Sequence, residues 1–166
     1  MSGLARAASA ASNVYLTGGA SAVLLGWRGT TVDVDLKLIP ESDELLRAIP
    51  RLKEELQLNV ELAAPDQFIP ELPAWRERSV FICRKDPLSF FHYDFYAQAL
   101  AKLERGHAQD LVDVASMRAA GLVEGARLRA LFDAIQPQLY KFPAVDPASF
   151  ERAVEEFIAA GGTGGD

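Results

Sequence analysis

The sequence predicts an α/β (α+β) protein, in which a small mixed sheet flanked by helices is followed by a helical half. Two observations predict it: β-prone and helical runs alternate up to about residue 94, and beyond that point the apolar residues recur at helical spacing. A chain of 166 residues can bury a core in one compact unit. We therefore expect residues 1–95 to form an α/β core, on which residues 96–162 pack as a helical region.

In the first half, five short runs alternate between apolar and polar residues or are rich in β-branched and aromatic residues. These predicted strands are 13–17, 31–38, 58–63, 78–83 and 88–95. One helix is predicted over 20–27, and a second from Ser42 or Asp43, either of which can cap it, to about Leu58. Pro50 lies inside the second helix and is expected to kink or split it.

The second half predicts four helices. The first runs to Arg105, the next two cover about 109–120 and 124–140, and Asp146-Pro147 starts a last one ending near Ala160. The final GGTGGD is expected to be a frayed tail.

Composition narrows the class of protein. The net charge of -6 argues against indiscriminate coating of nucleic acid, although a local basic patch can still hold one. A single cysteine, Cys83, excludes an internal disulfide and predicts a reducing cytoplasm. Residues 1–14 lack the apolar core of a signal peptide, and no apolar run is long enough to predict a membrane span.

An aspartate pair follows two glycines at close range. Asp33 and Asp35 alternate along a predicted strand, which puts them on one face with Cα atoms roughly 6.6 Å apart. Two carboxylates this close repel unless water or a cation compensates, and Mg²⁺ prefers such oxygens. Gly18 and Gly19 stand at a predicted helix start, where main-chain N–H groups favour an anion. Phosphate beside metal-bound carboxylates is what nucleotidyl transfer needs.

Each part also has an ordinary structural interpretation. A Gly-Gly pair is most often a turn, and an Asp-x-Asp strand is most often a solvated face. Lys102 and Asp110 are by themselves the charged ends of two helices joined by Gly106. In this order, with a helix between them, the glycines and the aspartates favour the interpretation as a site.

The pattern resembles the signature of the DNA polymerase β-type nucleotidyltransferase superfamily: an apolar strand, Gly-Gly opening a helix, then an apolar-flanked Asp-x-Asp. It is more specifically similar to small bacterial nucleotidyltransferase-like proteins related to abortive-infection toxins. The first motif is carried by Gly18, Gly19, Ala20, Arg28, Thr30, Thr31, Asp33 and Asp35. A second, downstream motif is carried by Lys102, Arg105, Gly106, Asp110 and Asp113.

The resemblance implies an enzyme that uses Mg²⁺ or Mn²⁺ to move a nucleoside monophosphate from a nucleoside triphosphate to an RNA, protein or small-molecule acceptor. The implied metal-binding and catalytic residues are Asp33, Asp35 and Glu61. The implied nucleotide-binding residues are Gly18, Gly19, Ser21, Arg28, Thr31, Lys102 and Asp110. The main chain at the glycines would hold the phosphates, and the lysine would approach the triphosphate. A toxin-like role implies a cognate antitoxin partner.

The third carboxylate has two candidates. The superfamily usually places an acid on a neighbouring strand, where it helps to deprotonate the acceptor; Glu61 lies in a suitable predicted strand, and Asp94 is its rival. If neither approaches the aspartate pair, we expect an inactive nucleotidyltransferase-fold module that binds nucleotide or a protein partner. The remaining alternative is an α/β domain whose Asp33 and Asp35 are only a surface.

Overall fold

A five-stranded mixed sheet organises the first part of the chain in the computed structural model, which describes residues 1–161. The strands are β1 Ser12–Thr17, β2 Asp33–Ile39, β3 Asn59–Leu62, β4 Val80–Lys85 and β5 Leu88–His92. Their order across the sheet is β3-β2-β1-β5-β4. β1 pairs antiparallel with β2 and parallel with β5, while β3 runs parallel to β2. The predicted α/β class with a small mixed sheet is confirmed.

Strand β2 shows why the sheet has one apolar face. Leu36 and Leu38 are buried in the core cluster, and Val34 packs against it. Alternation places Asp33 and Asp35 on the opposite face of the strand. The predicted strand began two residues too early, because pairing with β3 starts at Asp33 and Val32 stays 63% exposed.

Three helices belong with this sheet: α1 Ser2–Ala7, α2 Gly18–Leu24 and α3 Asp43–Leu56. Ser42 caps α3, since its Oγ accepts a hydrogen bond from the Leu45 N–H at 3.3 Å. Of the kink or split expected at Pro50, the split is wrong, because α3 continues through Pro50 as a single helix. Pro50 is exposed, and burial of Ile49 and Leu52 on either side offsets the hydrogen bond that proline cannot donate.

The remaining helices are α4 Trp75–Arg78, α5 Phe95–Arg105, α6 Ala108–Ala119, α7 Gly125–Ile135 and α8 Pro147–Gly161. The helix predicted over 124–140 is shorter than expected, because α7 ends at Ile135 and a 3₁₀ segment covers Gln136–Lys141. Pro137 stands at the start of that segment, where its missing N–H is tolerated. Of the predicted tail, residues 162–166 lie outside the described residues.

Contacts divide the chain into two units. The first unit holds Met1–Ala64 and Arg78–Tyr93, and the second holds Pro65–Glu77 and the chain from Asp94 onward. The predicted boundary after residue 95 lies close to the junction at residue 93, whereas the segment 65–77 groups with the helical part.

Apolar side chains are buried within each of the two units. In the first, side chains of α1 and α3 pack with those of the strands in one cluster. In the second, Phe132 of α7 meets Phe150 of α8 edge to face, with ring centroids 4.9 Å apart. No helix in the described part of the chain is both long enough and apolar enough to cross a membrane.

Candidate functional site

The aspartate pair lies at the start of β2, on the face away from the apolar core. Asp33 opens the strand and is exposed, while Asp35 is half-buried. In the strand register, Asp35 lies between Thr17 of β1 and Glu61 of β3. Residues paired across adjacent strands share a face. The sheet thus brings three of the predicted residues, Asp33, Asp35 and Glu61, onto one surface.

The main chain of Gly18 lies close to one of these carboxylates, that of Asp35. Its φ is +59°, and a Cβ added there would lie 3.1 Å from Oδ2 of Asp35. A side chain at Gly18 would therefore face both an unfavourable backbone conformation and a close contact. Glycine at this position lets the first residue of α2 and the Asp35 carboxylate lie side by side.

The side chains of two further predicted residues, Thr31 and Arg28, contact Gly19. A Cβ added there would lie 2.5 Å from Oγ1 of Thr31 and 3.1 Å from a guanidinium nitrogen of Arg28. Such distances mean that both side chains pack directly over the glycine main chain. Five residues of the upstream motif are consequently held together in the first unit: Gly18, Gly19, Arg28, Thr31 and Asp35.

Asp33 is braced by its neighbours on both sides. The hydroxyl of Thr31 donates to the Asp33 carbonyl at 3.1 Å and accepts from the Asp33 N–H at 3.2 Å. From β3, the side-chain amide of Asn59 donates to Oδ1 of Asp33 at 3.1 Å. The main-chain N–H of Asn59 also donates to the Val32 carbonyl at 2.6 Å.

Sequence reasoning missed Asn59. The residue lies two positions before Glu61, so alternation on the predicted strand already placed both on the same face. What the sequence lacked was the register between β2 and β3, which sets Asn59 directly opposite Asp33.

Ser21 has partners of a different kind. Its fully buried hydroxyl donates to the Leu16 carbonyl at 3.1 Å and lies 2.9 Å from Nδ1 of His92. A Ser21 hydroxyl that donates to the Leu16 carbonyl can accept a hydrogen bond from His92 in the tautomer whose Nδ1 carries the proton. Burial lowers the pKa of His92, which favours the neutral ring. These contacts tie α2 to β1 and β5 within the first unit.

The residues of the second motif form a buried ion network in the second unit. The ammonium group of Lys102 donates to Asp110 at 2.8 Å and to Asp113 at 2.7 Å. The guanidinium group of Arg105, on α5, donates one hydrogen bond to each carboxylate oxygen of Asp110, both at 2.7 Å. Burial acts to raise the pKa of Asp110, but the hydrogen bonds and charges of Arg105 and Lys102 outweigh it and lower the pKa to about 2. Lys102 and Asp110 are thus brought together, with Asp113 as a third partner.

Asp94, the rival for the third carboxylate, is an N-cap. Its Oδ1 accepts a hydrogen bond from the Tyr96 N–H at 3.1 Å at the start of α5, and its side chain is buried. Asp94 belongs to the second unit, whereas Asp33, Asp35 and Glu61 belong to the first.

The donor set of the aspartate pair fits a hard divalent cation. Asp33 and Asp35 supply carboxylate oxygens on one face, and these are the ligands that Mg²⁺ and Mn²⁺ prefer. Asn59 engages Oδ1 of Asp33, and none of the described residues donates a hydrogen bond to Oδ2. Within residues 1–161, no group of three or more His, Cys, Asp and Glu side chains is already gathered for a metal.

In comparisons with known proteins, the chain has no significant match to a protein-family model, a curated protein or a solved structure.

Proposed function

We propose that the first unit carries the site of a metal-dependent nucleotidyltransferase. This enzyme would move a nucleoside monophosphate from a nucleoside triphosphate to an RNA, protein or small-molecule acceptor. One observation carries the proposal: the Asp35 carboxylate lies against the main chain of Gly18, with Asp33 beside it on the same strand face. The residues proposed for the divalent cation and the glycines proposed for the phosphates are therefore adjacent.

The three acids have different proposed roles: two bind the cation, and the third acts on the acceptor. Asp33 and Asp35 would hold Mg²⁺ or Mn²⁺, and Glu61, in register with Asp35, would be the third acid. A bound divalent cation supplies positive charge that stabilises the phosphate oxygens and the leaving group. Glu61 is exposed, so its carboxylate can accept a proton from an incoming hydroxyl group.

The nucleotide phosphates belong, in this proposal, at the two glycines. The absence of side chains at Gly18 and Gly19 lets Asp35, Thr31 and Arg28 pack against the main chain, and the phosphates are proposed to lie beside these side chains. The guanidinium group of Arg28 packs over Gly19 and adds positive charge beside that surface. Thr31 holds the same loop in place through its two hydrogen bonds with Asp33. Approach of Lys102 to the triphosphate stays a prediction, since two carboxylates already hold its ammonium group.

The reaction is a substitution at the α-phosphorus. An acceptor oxygen forms a new bond to the α-phosphorus. At the same time the bond between the α-phosphorus and the α,β-bridging oxygen breaks, and pyrophosphate leaves. The acceptor proton passes to Glu61 or to water. Positioning and charge stabilisation, rather than covalent chemistry by the protein, are what such a site has to provide.

A second candidate function is a nucleotide-binding or protein-interaction module without turnover. The observation in its favour is that no three-carboxylate cluster is preassembled among the described residues. A module of this kind would bind nucleotide with a cation at Asp33 and Asp35 and would release no pyrophosphate.

The proposed setting is the cytoplasm, as one component of a toxin–antitoxin pair. The reducing environment is supported by the single cysteine, and the pairing is supported by the resemblance of the upstream motif to abortive-infection proteins. The proposed partner is a cognate antitoxin protein.

Label transfer tests the proposed reaction. We would incubate the protein with each α-labelled nucleoside triphosphate, Mg²⁺ or Mn²⁺, and an extract of RNA and protein, and would compare Asp33→Asn and Asp35→Asn with the parent. Transfer is expected to fall at least about 100-fold in both variants, because loss of a group that stabilises transition-state charge costs on this order. Asp43→Asn is the matched control, since Asp43 is an exposed carboxylate of α3 in the same unit.

The outcomes separate the two candidate functions. Transfer that is lost in both site variants and retained in Asp43→Asn supports the enzyme. Cation-dependent nucleotide binding without transfer supports the binding module. Transfer that survives in Asp33→Asn and Asp35→Asn would exclude this aspartate pair as the site.

A further inference from the structure

Asn59 makes two contacts at the start of β2, one with main chain and one with a side chain. Its N–H donates to the Val32 carbonyl at 2.6 Å, and its side-chain amide donates to Oδ1 of Asp33 at 3.1 Å. The parallel register pairs Asn59 with Asp33 directly. The first contact fixes where β3 lies, and the second fixes how the carboxylate is turned.

The side-chain contact has little to add to stability. Asp33 is exposed, so water would solvate its carboxylate without Asn59. Exposed polar pairs contribute little because water competes for both groups and ordering the side chains costs entropy. The consequence of the bond is therefore mainly geometric, since an otherwise rotatable carboxylate is held in one orientation.

That orientation suits a metal ligand. The amide engages Oδ1, and none of the described residues donates to Oδ2. Partners that hold a ligating carboxylate in this way typically account for 10–100-fold in metal affinity. An amide is also the appropriate partner because it is neutral, whereas a carboxylate at position 59 would repel Asp33.

We propose that Asn59 is a positioning residue, whose amide turns the Asp33 carboxylate so that Oδ2 faces a divalent cation. The inference rests on the proposed function, because it assumes that the cation binds at Asp33 and Asp35. It assigns to β3 a role in metal affinity that is separate from the role of Glu61 as third acid.

Mn²⁺ binding tests the proposal without any need for turnover. The free Mn²⁺ signal in electron paramagnetic resonance would give the affinity of the parent protein and of Asn59→Ala, Asn59→Leu and Asp33→Asn. Asn59→Leu nearly conserves the side-chain volume and removes the amide. Asn13→Ala is the matched control, since Asn13 pairs with Ile39 at the other end of β2. Urea unfolding without metal would be measured for every variant.

We expect both Asn59 variants to bind Mn²⁺ about 10–100-fold more weakly than the parent, with urea midpoints close to it. Asn13→Ala should bind like the parent, and Asp33→Asn should lose at least as much affinity as the Asn59 variants. Parent-like affinity in Asn59→Ala and Asn59→Leu, together with loss in Asp33→Asn, would overturn the role of Asn59 alone. Weaker binding in only one Asn59 variant, or in step with lost stability, would also overturn it. Parent-like binding by Asp33→Asn would instead overturn the proposed metal site.

Discussion

At the scale of single residues, two glycines allow the side chains of the proposed site to pack close to the main chain. Gly18 adopts a left-handed conformation beside Asp35, and Gly19 lies under Thr31 and Arg28. Neither contact leaves room for a methyl group without a shift of the neighbour. The close approach of the Asp35 carboxylate to Gly18 therefore requires a residue without a side chain at the start of α2.

Gly18→Ala is expected to lower the free energy of unfolding by about 1–2 kcal/mol. The reason is that a left-handed conformation costs an L-residue roughly this amount. Gly29→Ala is the control: a Cβ there meets no atom within 4 Å. Its change should stay within about 0.5 kcal/mol. Chemical denaturation gives both values, and equal stability of Gly18→Ala and the parent would show that the strain at position 18 is absent.

The residues of the upstream motif could be singled out from the sequence because each is chemically distinctive, and their functional role stays a prediction. Alternation placed Asp33 and Asp35 on one face, which the strand confirms. Asn59 could not be identified in this way, because its contact with Asp33 comes from the register between two strands far apart in sequence. Ser21 shows the same limit, since its partner His92 is brought to it only by the pairing of β5 with β1.

At the scale of elements, sequence patterns located the five strands and six of the eight α-helices of the described residues, but not all of their ends. Periodicity predicts α3 well, yet local rules about proline overstated the effect of Pro50, because they take no account of burial on the inner face. The short helices α1 and α4 were not predicted. Neither is long enough to show a periodic pattern, so tertiary contacts determine them.

A buried ion network joins α5 to α6. The side chain of Lys102 is 8% exposed, and those of Asp110 and Asp113 are 4% and 1% exposed. Carboxylates this buried are costly unless they are paired, and Lys102 contacts both of them. We infer that this network contributes to holding the two helices together, whatever further role Lys102 has.

Lys102→Met is therefore expected to lower the free energy of unfolding by about 3–5 kcal/mol, because it removes the buried ammonium group that contacts the carboxylates of Asp110 and Asp113. Arg51→Met is the control, since it removes an exposed i,i+4 pair with Glu55. That change should cost no more than about 0.5 kcal/mol. Denaturation of both variants measures the difference, and a similar small effect for Lys102→Met would contradict a stabilising network.

At the scale of the whole molecule, composition and the change in pattern near residue 94 were enough to predict the class. The helical half does begin near that point. The segment 65–77 departs from the predicted division, because it groups with the second unit although it precedes β4 in the chain. Buried Ile69 and Trp75 anchor this segment, and a stretch rich in proline gives no periodic signal of such packing.

In the proposed site, Asp33 and Asp35 hold a divalent cation beside a nucleotide at Gly18 and Gly19. The most direct measurement is diffraction from crystals grown with Mn²⁺ and a non-hydrolysable nucleoside triphosphate analogue, recorded at a wavelength where manganese scatters anomalously. We expect an anomalous peak bound by carboxylate oxygens of both aspartates, with the phosphates of the analogue next to the two glycines. Manganese bound elsewhere, with Asp33 and Asp35 facing only water while the analogue is present, would contradict it.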